Sequence, residues 1–210
     1  MGTTVLRETD GVQRTRVSAP AVLAVLDGLG GHPAGDVASD LAARLLTEAE
    51  VPRDAPSCTE LLERADAALH DAMSESPGRF GMGTTVAMIS LLGDGPEIMA
   101  ANVGDSPTWL WTDTGLVELS ERDRAPGGGI LQCLGAGGDG IAPHVRQVTV
   151  APGDRLVLAS DGLSDVVSAA TIGAVLRDHP DDAADRLVAM VRQAGVPDDL
   201  TVVVAEVVPD

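Results

Sequence analysis

Two segments of the chain place the same residue pair at the end of an apolar run: Ala24-Val25-Leu26-Asp27-Gly28-Leu29 and Val157-Leu158-Ala159-Ser160-Asp161-Gly162-Leu163. An aspartate at the tip of a buried strand is pushed toward the interior, where an ionised carboxylate is costly unless paired. Two such groups close together force a proton onto one of them. A divalent cation removes that conflict, because oxygen ligands suit Mg²⁺ or Mn²⁺. The glycine after each aspartate lets the backbone approach closely and offers its carbonyl as a further ligand. Two more acidic positions lie beside strands: Asp105 in the turn Gly104-Asp105-Ser106, and Asp198-Asp199 ahead of the apolar run 200–207. Taken singly, each aspartate reads better as a turn residue than as a ligand. Four of them at strand ends that could share one sheet edge point to a metal centre.

The elements that must position these residues follow from periodicity. Residues 21–26 form a continuous apolar run that stops at Asp27-Gly28, as a buried strand would. The spacing of Val37, Leu41, Leu45 and Leu46 predicts a helix over 33–49. A second helix is predicted over 57–74, with Ser57 as N-cap and Glu60 three residues on. From 84 the period becomes that of strands, over 84–92, 97–103, 108–112 and 116–119. They are separated by short turns rich in Gly, Asp and Pro, which argues for an antiparallel meander. The Gly-rich stretch 120–143 reads as a loop with one helical turn. Residues 145–150 and 155–160 read as a strand pair around Pro152-Gly153-Asp154, followed by helices over 169–178 and 181–194 and a last strand over 200–207. At the start, 2–6 and 12–17 read as short strands about the Asp10-Gly11 turn. Helix pairs segregated from mostly antiparallel strands mean an α+β layered architecture, and with no linker-like segment a single domain over 1–210 is expected.

Composition narrows the function. The 210 residues include 32 Asp and Glu against 14 Lys and Arg, a formal net charge of −18. Such a chain repels phosphate backbones and anionic lipid, which argues against nucleic-acid and membrane-surface roles. All 14 basic residues are Arg. The absence of Lys removes P-loop nucleotide binding, protein-kinase chemistry and Schiff-base catalysis. Any phosphate held directly must meet Arg, backbone amides or a metal. Cys58 and Cys133 have neither zinc spacing nor a disulfide framework, so both are expected to be reduced and structural. The apolar run at 19–26 is too short to span a bilayer, and a cytoplasmic, monomeric protein is expected.

These segments together resemble the metal-dependent serine/threonine protein phosphatases of type 2C, in their compact bacterial form. The resemblance is carried by Val25-Leu26-Asp27-Gly28-Leu29-Gly30-Gly31-His32 with Gly35-Asp36-Val37-Ala38-Ser39, and by Gly81-Met82-Gly83-Thr84-Thr85. It continues in Ala101-Asn102-Val103-Gly104-Asp105-Ser106, Ser160-Asp161-Gly162-Leu163-Ser164-Asp165 and Asp198-Asp199-Leu200-Thr201-Val202-Val203-Val204. They occur in the family's order and cover the chain from about residue 21 onward. The resemblance implies a four-layer αββα sandwich, two antiparallel sheets flanked by helix pairs. It implies two or three divalent cations, Mn²⁺ or Mg²⁺. Asp27 would bridge two of them and Gly28 would supply a carbonyl; Asp161 and Asp198 would hold the second, and Asp105 with Asp161 a weaker third. A water bridging two cations would then attack phosphoserine or phosphothreonine in line. The implied partners are phosphoproteins, a Ser/Thr kinase or its targets.

The chain also departs from the family pattern. The Asn-Glu-Asp that usually follows an N-terminal Arg is missing after Arg14 and Arg16, and Arg14 is the residue chosen for phosphate binding. Pro107 stands where the family usually has Arg, and Asp199 where it usually has Asn. The flap around 120–140 is reduced to Glu121-Arg122-Asp123-Arg124 and glycines. His32 has two readings, as proton donor to the leaving alkoxide or holder of metal-bound water, and as a residue that merely caps a helix. His70, His144 and His179 read as surface residues, and Met82, Thr84 and Thr85 as strand packing. The competing functions are a catalytically weak or inactive regulatory module, favoured by the missing acidic motif, and the related phosphatase branch acting on small regulators of sigma factors. Retention of all four aspartates favours an active phosphatase.

Overall fold

Strand β1 (Ala21–Val25), β2 (Val86–Leu91), β3 (Glu97–Val103) and β6 (His144–Thr149) make one sheet in the order β1-β2-β3-β6. The second sheet, in the order β5-β4-β7-β8, contains β4 (Thr108–Thr112), β5 (Gly115–Glu118), β7 (Arg155–Ala159) and β8 (Val202–Glu206). Every pairing in both sheets is antiparallel. The computed structural model describes residues 12–29, 34–136, 140–195 and 198–209.

Three apolar layers follow from the strand period of two. On β2, Val86 and Met88 pack with Ala42, Leu62 and Leu69 of α1 (Gly35–Glu48) and α2 (Ala55–Glu75), while Ile89 turns to the other side. On β7, Val157 and Ala159 meet Ile172 and Leu187 of α4 (Ala169–Asp178) and α5 (Ala183–Gln193). Leu156 and Leu158, the alternate residues of β7, join Val25, Ile89, Ile98 and Leu110 between the sheets. The central strands are thus covered on both faces, which is why they read as unbroken apolar runs rather than alternating ones. The result is the expected αββα sandwich, with helix pairs outside and two sheets within. Between β7 and α4 lies one further short helix, α3 (Asp161–Ser164).

Most predicted elements are present, but their partners differ in two places. The strands from 84 to 119 do not form one meander: β2 pairs with β3 and β4 with β5, and the chain changes sheets at Gly104-Asp105-Ser106-Pro107. Likewise β6 and β7 do not pair with each other; β6 lies against β3 and β7 between β4 and β8. Both short connections look like hairpin turns but cross the inter-sheet core instead, because each sheet must bury its inner face against the other. The N-cap of α2 is Asp54, not Ser57. The Asp54 carboxylate accepts from the Ser57 amide at 2.9 Å, and the Ser57 hydroxyl accepts from the Asp54 amide at 3.1 Å, completing a capping box three residues earlier. Residues 12–18 carry no regular structure and 120–143 no helical turn among the described residues. Residues 2–6 and the Asp10-Gly11 turn lie outside the described residues.

The inter-sheet layer joins the two sheets through buried apolar side chains. Leu158 is fully buried there, and Leu158→Ala is expected to lower the unfolding free energy by ~2–5 kcal/mol. Val117→Ala, on an edge strand and 53% exposed, is expected to change it by no more than ~0.5 kcal/mol. Urea denaturation of the two variants checks the contrast.

Candidate functional site

The two sheets end together at a cavity of about 510 Å³, and the acidic residues singled out from the sequence line it: Asp27, Asp105, Asp161, Asp198 and Asp199. Asp27 follows β1, Asp105 sits in the crossing from β3 to β4, Asp161 opens α3 after β7, and Asp198-Asp199 precede β8. Each sheet therefore contributes carboxylates from strand ends that are far apart in sequence.

Close backbone packing fixes these tips. A Cβ on Gly28 would lie 2.3 Å from the carbonyl oxygen of Gly35, and one on Gly162 would lie 2.3 Å from that of Asp199. No side chain fits at either position, so the two glycines let the Asp27 loop abut the start of α1 and the Asp161 turn abut the Asp198-Asp199 loop. Ser160 fastens the second junction: its hydroxyl donates to the Asp199 carbonyl at 3.1 Å and accepts from the Thr201 amide at 3.0 Å. Thr84 and Thr85 fasten the first. The Thr84 hydroxyl donates to the Asp27 carbonyl at 3.0 Å, the Thr85 amide donates to the same oxygen at 2.8 Å, and the Asp27 amide donates to the Thr85 hydroxyl at 3.3 Å. The Thr85 and Ser106 hydroxyls lie 2.6 Å apart, linking the Asp27 loop to the Asp105 turn. The two threonines therefore do more than pack a strand.

Electrostatics is the dominant feature. Burial pushes the Asp27 carboxyl up to about 7, and Asp161, Asp198, Asp105 and Asp199 add to the rise in that order. Burial also raises Asp105, against the pull of Arg124, and raises Asp161, with Asp105, Asp165 and Asp198 adding to it. Asp165 moves the other way, held low by hydrogen bonds from Arg124. The donor set is all oxygen, and the accumulated negative charge suits hard divalent cations. Among the described residues no three His, Cys, Asp or Glu side chains stand close enough to form a ready-made cage for one ion. An ion held here would therefore draw on backbone carbonyl or water oxygens as well, and Gly28 lines the same cavity.

Other sequence expectations fall elsewhere. The Arg14 guanidinium is exposed and pairs with Asp185 of α5 instead of lining the cavity; the irregular segment before β1 carries it to the outer helix layer. His32 lies outside the described residues. His144 is not a free surface residue: its Nε2 is 2.8 Å from Asp123 Oδ1 and its Nδ1 is 3.5 Å from Glu121 Oε2. His70 lies 3.7 Å from Asp66, and His179 ends α4. The shortened flap brings in a residue that the sequence reading left out. Arg124 reaches Asp105, Asp161 and Asp165, while Arg122 donates to Glu118 and to Ser164. The only signal in the sequence was an isolated pair of cations, Arg122 and Arg124, in an otherwise Gly-rich stretch.

Comparison with known proteins agrees with this architecture. The family described as Stage II sporulation protein E (SpoIIE) matches residues 18–208. The serine/threonine protein phosphatase PstP of Mycobacterium tuberculosis is 34% identical over 212 residues, 89% of this chain and 40% of that protein. The chain thus spans well under half of the mycobacterial relative's length. The serine/threonine phosphatase stp of Listeria innocua is 30% identical over 230 residues, 95% of this chain and 89% of that protein. Among solved structures, the catalytic domain of PstP in complex with two manganese ions superposes with a TM-score of 0.79 at 29% identity, covering 95% of each chain.

The raised carboxyls dictate how the metal-free protein responds to pH. The Asp27 pKa is about 7 in the folded state against about 3.9 in an unfolded chain. The folded form therefore holds a proton that the unfolded form has released, and stability falls as pH rises through that window. The upward shifts at Asp105 and Asp161 act in the same direction. In chelator, the melting temperature is expected to fall between pH ~5 and pH ~8. Saturating Mn²⁺ is expected to cancel the fall, because ions bind the deprotonated carboxylates. Differential scanning fluorimetry across that range checks this; a metal-free melting temperature that rises with pH would contradict it.

Proposed function

The chain belongs to the family of SpoIIE and type 2C bacterial serine/threonine protein phosphatases, and from that premise we propose that it hydrolyses phosphoserine and phosphothreonine side chains of proteins with the help of two divalent cations. The observation that carries this reading is the convergence of Asp27, Asp105, Asp161 and Asp198 from both sheets on one cavity, where burial and mutual repulsion hold the Asp27 carboxyl far above its ordinary range.

Asp27, Asp161 and Asp198, with the Gly28 carbonyl, are the groups that would hold the ions. Bound there, the cations would neutralise phosphoryl oxygens and acidify the attacking water. The remaining work belongs to the chain. Thr84 and Thr85 hold the Asp27 backbone through its carbonyl and amide. Ser160 keeps the Asp161 turn against the Asp198-Asp199 loop. Asp198 Oδ1 accepts from the Asp199 amide at 2.8 Å, which leaves its other oxygen for an ion. Cys58 and Cys133 are buried, and burial raises both thiols above their ordinary range, so neither is suited to act as a nucleophile. Arg14 is engaged by Asp185 and receives no part in this assignment. His32 keeps its two readings. Phosphoproteins of a Ser/Thr kinase pathway are the proposed substrates, and the cytoplasm the proposed location; no helix among the described residues is long and apolar enough to cross a membrane.

The reading is tested by turnover of p-nitrophenyl phosphate and of a phosphothreonine peptide with Mn²⁺, with chelator, and in Asp161→Asn. Hydrolysis is expected to require the ion and to fall at least ~100-fold in the variant, since even groups that only support metal ligands cost 10–100-fold. Activity that survives chelator, or Mn²⁺ binding without hydrolysis of either substrate, would overturn it.

A further inference from the structure

One positive side chain of the protein already stands among the acidic groups. Arg124 Nη1 and Nη2 donate to both oxygens of Asp165, at 2.6 and 2.8 Å, in a bidentate fork. From that anchor Nε lies 3.7 Å from Asp105 Oδ2 and Nη2 lies 3.9 Å from Asp161 Oδ2. The Asp105 side chain is only 3% exposed, and the guanidinium sits over it.

The backbone builds this placement. Asp123, the residue before Arg124, accepts the Gly104 amide at 2.8 Å through Oδ2 and contacts His144 Nε2 at 2.8 Å through Oδ1. The Asp123 amide donates to the Gly104 carbonyl at 3.1 Å, so the flap is stitched to the residue next to Asp105. Beyond it the chain doubles back on itself. Arg124 and Ile130 are bridged, the Ala125 amide donates to Gly129, and the Leu131 amide donates to Asp123 at 2.7 Å. On its other flank Arg122 grips Glu118 and Ser164 and lies 5.6 Å from the Trp109 ring centroid. A segment pinned on both sides holds Arg124 in one place.

We propose that Arg124 occupies, as a built-in cation, the space between Asp105 and Asp161 that a third divalent ion would need, so that this protein fills two metal sites and not three. The inference rests on the two-cation reading above and adds which of the acidic groups the ions leave to the protein. An ion of Mg²⁺ size shared by Asp105 and Asp161 would need their oxygens at about 2.0–2.1 Å. A guanidinium within 4 Å of both carboxylates opposes that approach by volume and by charge. It also answers a need of the fold, because Asp105 is buried and, among the described residues, would otherwise keep only Arg122 as a counter-charge whenever metal is scarce.

Counting bound Mn²⁺ at equilibrium, by calorimetry and by elemental analysis after dialysis, tests this in the full chain. Wild-type protein is expected to take up two ions. Arg124→Ala is expected to take up a third, weaker one, and Arg124→Lys, which keeps the charge, to remain at two. In chelator, Arg124→Ala is expected to melt several degrees below wild type, with Mn²⁺ restoring more of the loss than it adds to wild type. Three ions on the wild type would overturn the inference while leaving the two-cation reading in place; this count needs no variant and stands even if Arg124→Ala does not fold. Two ions on a folded Arg124→Ala would also overturn it. No ion on the wild type would remove the metal reading and this inference together.

Discussion

Mutual repulsion among half-buried carboxylates at one end of the sandwich is the constraint on which the rest of the molecule turns. Five aspartates line one cavity, and the best buried of them are pushed up by desolvation before any neighbour is counted. A fold seeking only stability would place few such groups together, since an unpaired buried charge costs several kcal/mol. The surrounding structure therefore has to hold them against their tendency to separate or to take up protons.

It does so with rigid backbone rather than with side-chain pairing. The three apolar layers fix the two sheets relative to each other, and the acidic residues all sit within a few positions of strand ends, where the chain has little freedom left. Gly28 and Gly162 allow loop-to-loop contacts that any side chain would forbid. Thr84, Thr85, Ser106 and Ser160 supply hydroxyl bonds between loops of different sheets or strands. Among the described residues the close cations are arginines of the flap, and the shortest contacts of Arg124 go to Asp165 at the rim, not to the deepest carboxylates. The cavity stays net negative, as a site for divalent ions must.

Much of this was legible from the residue order. The apolar run before Asp27-Gly28, the periodicity of α1 and the final strand beginning at Val202 all reappear, because each is decided by burial on a fixed face. The acidic residues were legible for the same reason: an aspartate after a fully apolar strand has nowhere to go but the sheet edge. Sheet membership was not. Gly104–Pro107 and the turn before Asp154 have the composition of hairpin connections, and only packing between distant segments sends the chain to the other sheet. Arg124 was hidden for a related reason. Its neighbours have no periodicity, and its position depends on the Asp123 contacts to Gly104 and His144, residues 19 and 21 positions away. Arg14 shows the converse, a residue chosen from a motif whose remaining members are missing, and it pairs with an outer helix.

The reduced flap and the crowded charge bear on each other. A longer segment over the cavity could bring its own carboxylates or its own selectivity; this one is short, doubled back and tied down at Asp123, and what it brings is positive. An arginine and a divalent ion answer the same repulsion in different ways. The ion binds tightly only when the carboxylates are ionised and comes and goes with supply, whereas the guanidinium is always charged and always present. Placing the permanent cation beside Asp105 and the exchangeable ones toward Asp27 and Asp198 would divide the cavity into a part that keeps the fold intact and a part that is free to do chemistry. Stability and metal occupancy are then coupled mainly through Asp27, the residue whose carboxyl is raised furthest toward neutrality and to which the ions would matter most.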